Sequence, residues 1–350
     1  TYLQYTKLRS CPKYAASVTG GVRVDITAYP LAMLKYPYLR GLGIGILFTA
    51  VDGKEDRDVM MNTVAPVWDG NETWLVLGGA GLLVAFPVAY AVVLSAFYLP
   101  LILMLVGLIF RGVAFEFRFK VPAGKRRVWD KSFAGGSLLA TFFQGVTLGA
   151  YLDGIPMKDG AYAGGPFDWL TPFSVFVGIS LLFTYALLGS TWLVMKTEGP
   201  LQQWSRRVAR QCLWWVLGFI VAVSLWTPLA SERIAERWFS WPNLLWFSPV
   251  PILTFGVAAL LRTSLRHERR DVLPFLCSFG LFFLAFTGLV ISLWPYLIWP
   301  TITLWDAAAH PISQAFLLVG TMFLLPIILL YVIWSYWVFR GKVRAGHGYY

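Results

Sequence analysis

Long stretches without a charged residue recur along this chain of 350 residues and are separated by shorter polar segments. Most of them reach the roughly 20 residues that an apolar helix needs to cross a bilayer. The longest, Trp74–Phe110, would measure about 55 Å as one helix, nearly twice a hydrocarbon core of about 30 Å. It is therefore expected to form two helices, with a reversal near Leu94–Pro100. Six further stretches are Ser132–Leu152, Trp169–Met195, Gln211–Ser231, Trp238–Leu261, Val272–Trp305 and Pro311–Phe339.

Prolines modify two of these stretches. The helix within Trp238–Leu261 is expected to begin only after Pro242, Pro249 and Pro251, because proline is best tolerated in a first turn. Val272–Trp305 is too long for one span, and its late prolines predict an end that forms an ordered loop. The pattern as a whole predicts an all-α, polytopic integral membrane helix bundle with eight clear transmembrane helices.

Composition and charge agree with this class. Hydrophobic residues make up 57% of the chain and charged residues only 13%, which argues against a soluble enzyme. The net charge of +11 could indicate nucleic acid or the cytoplasmic face of a membrane. Alternating the loops gives 20 Lys and Arg on one side and three on the other, the asymmetry of the positive-inside rule. We therefore expect a multi-pass protein with a cytoplasmic C-terminus and no nucleic-acid partner.

The sequence offers few groups for redox or metal chemistry. Its three cysteines lack the spacing of a disulfide framework or a zinc site, and its three histidines lie in predicted loops or the tail. A haem within the bilayer would need axial ligands inside the spans. If the protein takes part in electron transfer, its redox centres are therefore expected on a partner.

Polar groups concentrate where the first long apolar run begins. Asp69, Asn71 and Glu72 lie between Trp68 and Trp74. One interpretation is structural: Asp69 or Asn71 caps a helix, the helix dipole favours Glu72, and the tryptophans are interfacial anchors. The other is a proton-uptake mouth, because carboxylates at the bilayer edge can relay protons inward.

Three other charged residues lie at predicted span boundaries. Arg111 and Glu116 close the double span, and Glu116 is expected to pair with a nearby base because an unpaired buried charge is costly. Asp306 precedes the last span and is expected to be a helix cap or an inter-subunit contact. Glycine pairs such as Gly145 and Gly149 would permit close helix packing.

Several sequence runs resemble subunit II of cytochrome bd-type quinol oxidases, and they are most similar to the cyanide-insensitive branch of that family. The Trp-Asp-Gly-Asn-x-x-Trp run and the Phe-Arg-Gly-Val-Ala-Phe-Glu-Phe run are the most specific. The runs that carry the resemblance are Leu42–Phe48, Glu55–Asn62, Ala65–Trp74, Ile109–Arg118, Leu304–Asp306, Pro326–Tyr331 and Tyr336–Val343.

The resemblance implies a bacterial inner-membrane heterodimer that oxidises quinol and reduces dioxygen to water. Subunit I would carry the haems b and d, while subunit II would bind none, support assembly and contact lipid, quinol and a small single-span accessory subunit. By the same resemblance Asp69, and less strongly Glu72, would belong to a proton pathway, and Trp74 would lie near an oxygen entrance. Trp68, Asn71, Arg111, Glu116 and Asp306 are assigned structural or assembly roles.

The N-terminal segment 1–40 departs from the family. Relatives begin with an apolar helix that ends in a run with two aspartates, whereas here Lys35, Pro37 and Arg40 fall in that region and both aspartates are absent. This predicts a degraded ninth helix, which we attribute to an altered reading frame or a damaged gene. A family-like transmembrane domain would then cover residues 41–345, followed by a cytoplasmic tail, 346–350.

Two other function classes compete with the oxidase subunit. A secondary transporter would also be polytopic and basic inside, but it predicts charged or broken helices near the midplane. A purely structural membrane subunit would carry no route for protons or oxygen. Co-purification with haem and quinol-dependent oxygen uptake would distinguish the oxidase from both.

Overall fold

The structure is a computed structural model that describes residues 47–48, 51, 54–66, 68–122, 125–267 and 270–344. The segment 1–40, with its predicted degraded helix, and the tail 346–350 lie outside the described residues. The helices are α1 (Lys54–Val64), α2 (Trp68–Ala85), α3 (Pro87–Arg118), α4 (Arg126–Asp153), α5 (Pro172–Lys196), α6 (Gly199–Ala230), α7 (Glu232–Phe239), α8 (Asn243–Phe247), α9 (Pro249–Ser264), α10 (Leu273–Leu293), α11 (Leu304–Ala307) and α12 (Pro311–Val338).

Two short antiparallel hairpins complete the fold. The first pairs β1 (Met157–Lys158) with β2 (Ala161–Tyr162), and the second pairs β3 (Tyr296–Ile298) with β4 (Ile302–Thr303). The second hairpin follows α10, so the end of the Val272–Trp305 stretch leaves the helix as an ordered loop, as the prolines predicted.

Eight apolar helices run through the described chain in alternating directions. Seven are long and apolar enough to cross a membrane, with α8 and α9 counted together, and the eighth is the shorter apolar helix Glu72–Ala85 within α2. This confirms the predicted all-α membrane bundle. Its members pack in sequence order, because α3 lies against α4, α4 against α5 and α5 against α6.

The reversal within Trp74–Phe110 is not where the sequence predicted it. The chain breaks at Phe86 (φ −140°, ψ 65°), directly before Pro87, and not near Leu94–Pro100. Proline with its fixed φ suits the first turn of α3. Pro100 lies inside α3 instead, and its effect there is local: Phe97, three residues before it, has non-helical angles (φ −118°, ψ 20°), as expected where a proline ring meets the preceding turn.

The helix within the Trp238–Leu261 stretch also begins at a different residue from the one predicted. α9 begins at Pro249, so Pro249 and Pro251 form its first turn and do not precede it. A separate short helix, α8, follows Pro242. Proline has no amide hydrogen to donate, and the first turn is the place in a helix where that donor has no partner.

The chain has two polar ends. At the first, called the basic end, α3, α5, α9 and α12 end and α2, α4, α6 and α10 begin. At the opposite end the loops after α4 and α10 meet, since the Ile155 amide donates to the Trp299 carbonyl oxygen at 3.1 Å. Trp238 joins them there through a 2.9 Å bond to the Ser292 hydroxyl. The two ends therefore correspond to the two predicted sets of loops.

Glycines permit the closest helix contacts. A Cβ atom on Gly149 of α4 would lie 2.6 Å from the Ser174 Cα of α5, and one on Gly145 would lie 2.8 Å from the Gly178 Cα. This confirms the close packing that the Gly145 and Gly149 spacing predicted. The glycines of α2 are different, because open space surrounds the Cβ positions of Gly78, Gly79 and Gly81.

Candidate functional site

An ion pair joins α2 to α3 near the basic end. Glu72 lies in the first turns of α2, and its Oε1 is 3.7 Å from the Arg111 Nε of α3. Arg111 precedes Arg118, near the end of α3, by seven residues, which corresponds to about 10 Å of helix. The two side chains are 21% and 25% exposed. Each charge thus has an opposite charge nearby at a depth where an isolated charge would be costly.

Further polar groups lie deeper in the bundle. The Tyr185 hydroxyl of α5 donates to the Gln144 side-chain oxygen of α4 at 2.9 Å. The charge of Arg111 acts on Tyr185, so the two groups are within electrostatic range of each other. Glu72, Arg111, Tyr185 and Gln144 therefore bring one polar group each from α2, α3, α5 and α4 to the same region. The sequence analysis missed Tyr185 and Gln144, because isolated polar residues in apolar runs form no recognisable pattern.

The remaining residues of the predicted mouth surround the start of α2. Trp68 begins the helix, stacks on Phe115 with ring centroids 5.3 Å apart and contacts the position of Gly112. The backbone of Asp69 lies in the first turn, while the side chains of Asp69 and Asn71 lie outside the described residues. Trp74 is 37% exposed and faces away from the core.

The two other predicted boundary charges have local partners. Glu116 pairs with Lys120 one turn later, with Oε2 and Nζ 3.2 Å apart, which confirms that it pairs with a nearby base. Asp306 forms a capping box with Thr303 at the start of α11: its Oδ2 accepts from the Thr303 hydroxyl at 2.5 Å and from the Thr303 amide at 3.3 Å. Asp306 therefore takes the third position of the capping box of α11, with Thr303 as the N-cap, while His310 is the N-cap of the last span.

A buried cluster of two arginines and two aspartates lies at the basic end. Arg118 donates from Nε to Asp130 at 2.6 Å and from Nη1 to Asp58 at 2.5 Å. Arg57 lies 3.6 Å from Asp130 and donates from Nε to a backbone carbonyl oxygen at 3.0 Å. Both guanidinium groups also lie over the ring of Phe48. We call Arg57, Asp58, Arg118 and Asp130 the buried quartet.

The quartet links three elements that are distant in the chain. It joins α1 to the last turn of α3 and the first turns of α4, and three of its members are at most 1% exposed. Its formal charges cancel, which reduces the cost of burial. The sequence analysis did not identify it, because its members were counted as ordinary charges of cytoplasmic loops.

One acidic group on α1 has an altered proton affinity. Partial burial and the neighbouring carboxylate of Glu55 raise the pKa of Asp56. It therefore takes up a proton more readily than an exposed aspartate does.

No group of three or more His, Cys, Asp or Glu side chains that could hold a metal ion occurs among the residues that the structure describes. His267 and His310 lie at helix ends, and Cys212 and Cys277 are free and buried. The described site therefore consists of charged and hydrogen-bonding side chains.

Comparison with known families identifies the chain. Residues 31–339 match the family described as "Cytochrome bd terminal oxidase subunit II", and the match includes part of the segment 1–40. The chain belongs to this family. Subunit II is thus part of an oxidoreductase complex, and the family and enzyme class that the sequence predicted are confirmed.

Curated relatives agree with the family match. Subunit II is 31% identical to the "Probable cytochrome oxidase subunit 2" of Haemophilus influenzae, over 87% of this chain and 89% of the relative. It is 31% identical to the "Cytochrome bd-I ubiquinol oxidase subunit 2" of Escherichia coli K12, over 86% and 89%. The Bacillus subtilis "Cytochrome bd ubiquinol oxidase subunit 2" is 28% identical, over 87% and 90%. The relatives and the spans together support a bacterial inner-membrane protein.

A solved structure shows the same fold. The bd oxidase structure from Geobacillus thermodenitrificans matches subunit II with a TM-score of 0.63 at 18% identity, over 88% of this chain and 95% of that chain. The arrangement of helices is therefore that of a bd oxidase subunit.

Proposed function

We propose that subunit II is the haem-free subunit of a complex that oxidises quinol and reduces dioxygen to water. The names of its relatives, which are ubiquinol oxidase subunits, support this reaction. In the proposal subunit I is the partner and binds the haems b and d, while subunit II stabilises the complex, admits protons and borders the oxygen route. Lipid, quinol and a small single-span accessory subunit complete the proposed partners.

The observation that carries the proton role is the ion pair between Glu72 and Arg111. Asp69 lies three residues before Glu72, so two carboxylates occur in the first turns of a helix that begins at the basic end. Arg111 holds Glu72 at 3.7 Å, a separation at which the pair is weaker than a direct hydrogen bond. A carboxylate in this position can accept a proton from the solvent side and release it towards deeper polar groups.

The oxygen and assembly roles rest on the exposed faces of α2 and α12. Trp74 and the apolar residues after it are exposed on α2, and none of the residues of α12 is buried by the described chain. Aromatic and apolar faces of this kind suit contact with another membrane subunit. We propose that subunit I covers part of this surface, and that Trp74 lines an oxygen path there.

Substitution of the two carboxylates tests the proton role. Asp69→Asn and Glu72→Gln are expected to lower quinol-dependent oxygen uptake about tenfold or more at full haem content, because proton transfer by a positioned group contributes about 10²–10⁴-fold. Oxygen uptake and haem absorbance of the purified complex are the measurements. Asp168→Asn at the opposite end is the control, since Asp168 accepts a hydrogen bond from the Gly165 amide within its own loop.

The same measurements separate the competing outcomes. Loss of haem together with activity would make Asp69 or Glu72 a structural residue of the complex. Unchanged activity and haem content would leave subunit II without a proton role and favour the purely structural subunit.

A further inference from the structure

One exposed surface at the basic end contains arginines from α6, from α9 and from the turn that follows α9. Arg206, Arg210 and Trp214 are spaced four residues apart on α6 and therefore lie on one stripe of that helix. Arg206 is buried and binds the turn after α9, donating to the His267 carbonyl oxygen at 3.3 Å and to Asp271 at 2.7 Å. This part of α6 thus lies against the end of α9 and the turn that follows it.

A cation–π contact fixes the alignment of the two helices. The Arg262 guanidinium of α9 lies 5.1 Å from the ring centroid of Trp214. Because α6 leaves the basic end and α9 arrives there, the helices are antiparallel. Arg210 lies between Trp214 and Arg206 on α6, and Arg266 lies between Arg262 and His267 on the facing segment. Arg210, Arg262 and Arg266 therefore belong to the same short stretch of the contact between α6 and α9, which includes Trp214.

These three arginines have no carboxylate partner in the described part of the chain, whereas Arg118 and Arg206 at the same end do. Asp271, the nearby acid, is shared by Arg206 at 2.7 Å and Lys342 at 2.5 Å. Arg210 donates only to a backbone carbonyl oxygen, that of Arg206 at 3.3 Å. All three side chains are exposed. Among the residues that the structure describes, the surface thus presents three positive charges that no carboxylate pairs with.

An apolar strip continues from this surface into the membrane. Gly218, one turn beyond Trp214 on the same stripe, has open space around its Cβ position. Val221 and Leu225 follow and are 43% and 62% exposed. Trp214 itself is 58% exposed, as is typical of a tryptophan at the boundary between headgroups and hydrocarbon. An acyl chain could therefore lie along α6 below the three arginines.

We propose that Arg210, Arg262, Arg266 and Trp214 form a binding site for an anionic phospholipid in the leaflet at the basic end. The lipid phosphate accepts hydrogen bonds from the guanidinium groups, which match phosphate geometry well. One acyl chain passes Trp214 and occupies the notch at Gly218. The positive-inside rule accounts for basic residues in loops, but it does not require arginines of α6, of α9 and of the turn after α9 to lie along one contact with an exposed tryptophan.

Native mass spectrometry of the purified complex tests the site. The complex is titrated with phosphatidylglycerol, and with phosphatidylethanolamine as the zwitterionic comparison. Arg262→Gln/Arg266→Gln is expected to weaken phosphatidylglycerol binding about tenfold or more, since each basic residue adds substantially to the attraction for anionic lipid. The matched control, Arg127→Gln/Lys131→Gln, removes the same charge from exposed positions at the start of α4 and is expected to bind like the unmodified complex.

Equal weakening in the variant and the control, or none in either, would overturn the proposal, as would equal binding of both lipids. A second measurement needs no variant. A photoreactive phosphatidylglycerol is expected to cross-link to peptides that contain residues 206–218 or 255–266. Cross-links confined to other segments would show that another occupant, such as an acidic segment of a partner protein, covers this surface.

Discussion

Two groups of charges at the basic end differ in how tightly they are held. In the buried quartet, Arg118 makes hydrogen bonds of 2.5 and 2.6 Å to two carboxylates and is fully buried. Glu72 and Arg111 are 3.7 Å apart and partly exposed. The quartet ties α1 to α3 and α4 through these short contacts, which indicates a structural role. The proposed proton role belongs to the looser pair of Glu72 and Arg111.

Removing the Arg118 guanidinium from the quartet is expected to destabilise the subunit severely. Arg118→Met would leave Asp58 and Asp130 without their shared partner and should destabilise the subunit by about 3–5 kcal/mol. The thermal unfolding midpoint and the amount of complex in membranes would report the loss. Lys120→Met is the control, because its exposed pair with Glu116 contributes only about 0–1 kcal/mol. Similar stability of the two variants would contradict the structural role of the quartet.

The sequence predicted local charge partners better than distant ones. The pairing of Glu116 with a nearby base was predicted correctly, and its partner Lys120 lies four residues along the chain. Asp306 also has a local partner, since it shares a capping box with Thr303. Arg118 and Asp58 are 60 residues apart, and nothing in either segment indicates that they meet. The Glu72 and Arg111 pair was missed for the same reason, although both residues had been singled out.

At the scale of elements, glycine determines how closely α3, α4 and α5 approach. The position of Gly136 on α4 is the tightest, since a Cβ atom there would lie 2.5 Å from the Gly107 carbonyl oxygen and 2.8 Å from the Arg111 amide nitrogen, both on α3. The neighbouring Gly135 has open space around its Cβ position. Close approach, not helix flexibility, is therefore what requires glycine at position 136.

These adjacent glycines give a matched pair of variants. Gly136→Ala is expected to force α3 and α4 apart and to destabilise the subunit by about 1–3 kcal/mol, the usual cost of overpacking. Gly135→Ala should be neutral or slightly stabilising, because alanine favours a helix by about 1 kcal/mol. Thermal unfolding of both purified complexes would measure the difference. If the two variants unfold alike, the seam between α3 and α4 is looser than its geometry indicates.

The sequence predicted where the helices lie more reliably than where they break. Apolar length alone located the spans, because the bilayer demands it. Pro87 and Pro100 were both candidates for the break in the double span, and the apolar pattern could not distinguish between them. Pro87 begins a helix and Pro100 lies within one, since the packing of α3 against α4 holds the helix together across the distortion at Phe97.

At the scale of the whole molecule, charge and geometry describe the same two ends. The C-terminal segment is attached at the basic end, where Lys196 donates to the Phe339 carbonyl oxygen at 2.5 Å and accepts from the Val343 amide at 2.8 Å. The exposed basic residues of α4 and α6 share that end. The loops with few basic residues meet at the opposite end of the bundle. This arrangement supports the proposed orientation, in which the C-terminus is cytoplasmic.

Thiol labelling in intact cells can test the orientation. Lys158→Cys at the opposite end is expected to react with a membrane-impermeant maleimide, whereas Lys131→Cys at the basic end should react only after lysis. The unmodified chain, which also contains Cys11, supplies the background, and among the described residues Cys212 and Cys277 are buried. Labelling of Lys131→Cys alone in intact cells would reverse the proposed topology.

The contacts of the last span, α12, determine how freely its amino acids can change. α12 is held at its two ends: the Gln314 side chain donates to the Ala85 carbonyl oxygen at 2.6 Å, and Lys196 binds the Phe339 carbonyl oxygen. Between them no residue of α12 is buried by the described chain. Both acceptors are backbone oxygens, which every amino acid has, so these two contacts depend on the side chains of Gln314 and Lys196. Mutational drift along the middle of α12 is therefore constrained by the molecules outside this chain and hardly by the chain itself.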